Sequence, residues 1–127
     1  MVRTIFAAAL LVRAACASSP EAVQGEVALT DSPFCEFFVV KTEHGFSLLD
    51  WRGGLYVIAE GDPVSGPLTT TGLHAFVFAG SGDMRAEIEE AGVDLARARL
   101  AYYARCHPTK PDPSLPAGTV ASVHPET

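Results

Sequence analysis

Through the middle of the chain apolar residues come in short blocks, each closed by glycine, proline or a cluster of charge. "CEFFVVKT" (35–42) is aromatic and β-branched without alternation, which suits a strand covered on both faces. "EHG" (43–45) supplies a turn in which Gly45 can take positive φ, and "FSLLDW" (46–51) reads as the return strand. Gly53-Gly54 in "RGGL" has the form of a two-residue hairpin turn leading into "LYVIAE" (55–60). Residues 35–60 therefore read as a three-stranded meander. "GDPVSGP" (61–67) is dense in turn formers, and "LHAFVFA" (73–79) is a fourth strand stopped by "GSGD" (80–83).

Two patterns compete in "MRAEIEEAG" (84–92). Met84, Ala86 and Ile88 alternate with Arg85, Glu87 and Glu89, as in a half-buried strand, although the residues are good helix formers. The unbroken alternation decides for a strand. Asp94 then caps a helix over "LARARLAYYARC" (95–106), with Leu95, Ala98, Tyr102 and Cys106 on one stripe and Pro108 preventing continuation. Five short strands and one C-terminal helix predict a mainly β fold. The expected form is a small antiparallel barrel or half-barrel of OB-like or SH3-like kind, its helix covering an open end or face.

The ends differ in character. "MVRTIFAAALLVRAACASSP" has an early arginine, an apolar run from Ile5 to Val12 and the small spacing Ala15-Cys16-Ala17, which together read as a signal peptide over 1–17. The run is too short and too quickly interrupted by Arg13 for a membrane span. A lipid anchor on Cys16 is the lesser alternative, because Arg13 stands where such signals carry an apolar residue. Residues 18–33 are small and polar and read as a flexible linker, leaving 34–106 as the folded domain. Residues 107–127 hold five prolines and few large apolar groups, the composition of a disordered tail.

Cleavage after Ala17 removes Arg3 and Arg13 and no acid, taking the formal charge from −6 to −8. Such a field repels phosphate backbones, so no nucleic-acid partner is expected. The loss of Cys16 leaves Cys35 and Cys106, an even count that predicts a disulfide in an exported chain, periplasmic or secreted. The absence of asparagine and the preference for arginine over lysine suggest a GC-rich bacterial genome.

Candidate chemistry is sparse. Cys106 beside His107 is a poor catalytic pair, because neighbours at a helix end point apart. Without Cys-x-x-Cys or His-x-x-x-His spacing, no metal site and no cofactor are expected. His74 shares a strand face with Phe76 and Phe78 and could act as an acid or base only with a carboxylate such as Asp50 or Glu60. Trp51, Arg52 and Tyr56 flank the Gly-Gly pair and are residue types enriched at binding surfaces. The expectation is a small non-enzymatic domain that binds a protein or an envelope component at these three residues. A small hydrolase using His74 and a purely structural accessory domain are the alternatives.

Overall fold

The computed structural model describes residues 21–109. Six antiparallel strands close into a barrel in the order β1-β2-β3-β6-β5-β4, with β4 pairing back onto β1. The strands are β1 (Val23–Leu29), β2 (Phe37–Thr42), β3 (Gly45–Gly54), β4 (Pro63–Gly66), β5 (Gly72–Phe78) and β6 (Gly82–Val93). One helix, α1 (Leu95–Cys106), follows β6. The mainly β class with a C-terminal helix agrees with the sequence, and the strand count is six rather than five.

β2 explains the arrangement. All of Phe37, Phe38, Val39 and Val40 are buried, so neither face of the strand meets water. Phe38 and Val40 point into the barrel with Leu49, Phe76, Phe78, Met84 and Ile88. Phe37 and Val39 point outward, where with Leu48 they meet Ala98 and Tyr102 of α1. The helix thus lies on the outer wall over β2 and β3. Asp94 caps it by accepting from the Arg97 N–H at 2.8 Å, as expected. Arg105 lays its guanidinium over the Phe37 ring, 4.4 Å from the centroid, and pairs with Glu89 of β6. Leu95 departs from the expected stripe and is exposed.

A disulfide joins Cys35, just before β2, to Cys106 at the last turn of α1. Beyond it, His107 packs on the Tyr102 and Tyr103 rings and lies 3.8 Å from the Asp31 carboxylate. His107, the first residue of the expected tail, is thus packed against the domain. Residues 1–17, residues 18–20 and residues 110–127 lie outside the described residues.

Three expectations are corrected. The linker assigned to 18–33 contains strand β1, hidden in the sequence by a register shift between Val27 and Leu29 and by Gly25. A Cβ at Gly25 would stand 2.7 Å from Val40 Cγ1 and 2.8 Å from the Lys41 carbonyl, so the strand needs glycine where β2 crowds it. Gly53-Gly54 is not a hairpin turn. β3 runs through it against Arg85 and Met84, with a bulge between Trp51 and Gly53. Gly54 has φ 83°, and a Cβ there would lie 2.6 Å from the Asp83 carbonyl. Consequently 55–60 is no strand: it crosses the barrel end, and the strand follows at Pro63–Gly66, within the expected turn. Pro63 opens β4, where its missing N–H costs least. The ambiguous 84–92 is strand, with Met84, Ala86 and Ile88 all facing inward.

Reducing the disulfide, or Cys106→Ser, should destabilise the domain by about 2–5 kcal/mol, because it releases a long closed loop in the unfolded chain. Urea unfolding of oxidised and reduced protein checks this, and unchanged midpoints would contradict it. Alkaline pH probes the helix contact. Burial, reinforced by the Asp31 charge, pushes the Tyr102 phenol from 10.0 up to about 12. The folded state thus keeps a proton that the unfolded chain releases, so this stabilisation is complete below pH 10 and fades as pH climbs toward 12. Tyr102→Phe should flatten that alkaline slope in stability measured against pH.

Candidate site at the barrel mouth

Strand directions bring two irregular connections to one end of the barrel: 30–36 between β1 and β2, and 55–62 between β3 and β4. They are stitched together. The Ser32 hydroxyl donates to the Tyr56 carbonyl at 2.8 Å and accepts from the Ile58 N–H at 3.1 Å. The Tyr56 hydroxyl returns the link by donating to the Pro33 carbonyl at 2.7 Å. The Leu55 N–H reaches the Asp83 carbonyl at 2.8 Å, tying the crossing segment to the start of β6. This end is the mouth of the barrel.

Trp51 sits where β3 reaches the mouth, on the same side of the strand as Leu49, and packs on the barrel interior. Its indole N–H donates to the Leu55 carbonyl at 2.9 Å. The Tyr56 ring lies against it, with centroids 4.8 Å apart and planes tilted by 58°. Glu36 is its cross-strand neighbour: the Trp51 N–H donates to the Glu36 carbonyl at 3.0 Å, one step beyond the Phe37–Asp50 pair. Ser32, Glu36, Phe38, Trp51, Tyr56 and Met84 line a shallow, half-open depression. Phe34 projects from the 30–36 connection with 84% of its surface exposed, and Val57 is 63% exposed on the other.

The three expected binding residues are thus divided. Trp51 and Tyr56 meet in the mouth, although no hairpin joins them. Arg52 points the other way, to the outer wall, where its guanidinium bonds Asp50 at 2.5 Å and Glu87 at 2.7 Å. Those carboxylates raise its pKa further above an already high value. The sequence reading did not single out Phe34 or Glu36. Both lie on the irregular 30–36 connection, where no strand or helix period applies.

His74 keeps company other than a carboxylate. Its Nε2 lies 3.2 Å from the Thr71 carbonyl, and its ring stands edge-on to Phe76. Strand order explains this: β6 lies between β5 and β3, and Asp50 faces the outer wall with Arg52. Among the described residues His74 makes no ion pair, and no three His, Cys, Asp or Glu side chains converge as metal ligands. No family model, no curated protein and no solved structure matches the chain.

Trp51 and Phe34 should separate packing from exposure. Trp51→Ala removes a partly buried indole and its bond to Leu55, and should cost about 2–3 kcal/mol. Phe34→Ala should stay within about 0.5 kcal/mol of the parent, as exposed substitutions do. Denaturant midpoints of the two variants test this, and a comparable loss in both would place Phe34 in the packed interior.

Proposed function

We propose that this chain is a small exported, non-enzymatic domain that binds a protein or cell-envelope component through the barrel mouth. Trp51 and Tyr56 form the contact surface together with Phe34 and Val57, and Arg52 borders it from the outer wall. The observation that carries this reading is Phe34. A large aromatic side chain stands almost wholly in water at the same barrel end as Trp51, Tyr56 and Val57, on connections held by the Ser32 and Tyr56 hydrogen bonds and by the disulfide. Exposed apolar groups held in place by a rigid frame favour association, because little ordering entropy remains to be lost on contact.

Further support comes from the barrel interior, which is filled by side chains such as Phe76, Phe78 and Ile88. The depression at the mouth is too shallow to enclose a substrate. A periplasmic or secreted location is supported by the signal-like start of the sequence and by the paired cysteines. No helix among the described residues is long and apolar enough to cross a membrane.

The test is capture from envelope extract by the immobilised chain, preceded by intact-mass analysis of the exported protein, which should begin at Ser18. Phe34→Ala and Val57→Ala should each weaken retention of a captured partner by about tenfold or more while preserving the melting temperature. Undiminished retention by both variants would remove the mouth as the contact surface.

A further inference from the structure

We propose that the outer wall of β5 and β6 is a contact between two copies of this chain. The copies are related by a two-fold axis level with His74. This goes beyond the reading of the mouth and does not depend on it, because wall and mouth are different surfaces.

Composition singles out the wall. Residues 63–82, which include β4 and β5, contain no Lys, Arg, Asp or Glu, in a chain of formal charge −6. Alternation along β5 turns Phe76 and Phe78 inward, leaving Leu73, Ala75 and Val77 on the outer side. Leu73 and Val77 are each 52% exposed. The outward residues of β2 are also apolar, but α1 covers them. Among the described residues nothing gives β5 such a cover, since the helix packs on β2 and β3. Two acidic copies can meet on β5 without desolvating a charge at the centre of the contact.

Register is the reason for a second copy rather than another protein. In the β5–β6 ladder Leu73 stands opposite Glu87, and Ala75 opposite Arg85. A two-fold axis across the strands at His74 exchanges these two levels. It sets Leu73 of one copy against the small Ala75 of the other, a projecting side chain against a notch. The same axis sets Arg85 of each copy opposite Glu87 of the other, at the rim of the apolar contact. Both groups are available. Glu87 accepts from Arg52 through Oε1 at 2.7 Å, which leaves Oε2 open. Arg85 makes no ion pair among the described residues, and its Nη1 lies 3.9 Å from where a Cβ on Gly53 would stand. Sheets packed face to face stand about 10 Å apart, a gap that arginine and glutamate span together. One axis thus matches shape and charge at once. The contact is only two strands wide, so the dimer is weak and reversible, and its two mouths point in opposite directions.

Sedimentation equilibrium of the disulfide-bonded protein, from about 10 μM to about 1 mM, reads the association. The parent should pass from monomer toward dimer within that range. Leu73→Lys should weaken the dimer by about tenfold or more. Arg85→Glu and Glu87→Arg test the register. Each alone brings two like-charged pairs together across the axis and should weaken association by about tenfold. Mixed in equal amounts, the two variants face each other with opposite charges, and association should return to within about threefold of the parent. All three positions lie on the outer wall, so unchanged melting temperatures confirm that the variants are folded. A parent that stays monomeric throughout would overturn the proposal, as would a dimer indifferent to Leu73→Lys. Failure of the folded variants to recover on mixing would overturn it too. A monomeric parent that captures an envelope protein, and loses it with Leu73→Lys, would overturn it in favour of a different polypeptide on this wall. Capture through the mouth, read with Phe34→Ala, is decided separately from each of these results.

Discussion

Burial of β2 on both faces is the constraint on which the rest of this fold depends. A strand with one apolar face can complete a barrel and leave its other side to water. Phe37 and Val39 deny that solution, because their outward side chains need a second cover. The chain provides it with α1, and Ala98 at the contact lets the helix approach closely while Tyr102 fills the remaining space. The outer-wall ion pairs follow from that docking. Arg105 reaches across to Glu89, and Arg97 closes on Glu90, holding its carboxyl below the ordinary range. These pairs are exposed and add little to stability individually. Their effect is to fix the rotation of a helix whose position is already set by apolar contact.

Closure of the barrel then decides where function can reside. The strands pair around a closed wall, although β4 and β5 meet at only two positions, and side chains occupy the interior. What remains is the outer wall and the ends. At the mouth the chain abandons regular pairing for two long connections, and the backbone groups released there find partners in Ser32, Tyr56 and Asp62 instead. Those side-chain bonds do for the mouth what strand ladders do for the wall. They permit an apolar residue such as Phe34 to face water on a segment that does not collapse around it.

How much of this could be read in advance varied with the kind of signal. Where one side of a segment is buried and the other wet, as in 84–92, period-two alternation named the strand despite contrary helix propensities. The double burial of 37–40, within the expected strand 35–42, and the Asp94 cap were equally plain. Failure came where glycine served close packing instead of turning the chain. Gly25 made β1 look like a linker because its neighbours, not its own side chain, occupy the space. Gly53-Gly54 imitated a hairpin while allowing a bulge and a near contact with Asp83. No local pattern distinguishes these uses of glycine, since the deciding atoms belong to distant strands. The same holds for the site. Trp51 and Tyr56 do meet, but through a crossing segment, and Arg52 leaves them because alternation along β3 turns it outward.

The disulfide connects these two levels of organisation. Cys35 follows Phe34 directly, so the covalent link to the end of α1 anchors the connection that carries this exposed ring. Its contribution is therefore twofold. In the unfolded chain it restricts a long loop, which stabilises the whole domain. In the folded state it restrains the 30–36 connection beside the Ser32 and Tyr56 bonds, which reduces the entropy that contact with a partner would otherwise have to remove. Helix docking and the form of the mouth are thus joined through Cys35 and, beside it, the approach of His107 to Asp31. Loosening α1 would disturb the exposed aromatic surface even though helix and Trp51 lie on opposite sides of the barrel wall.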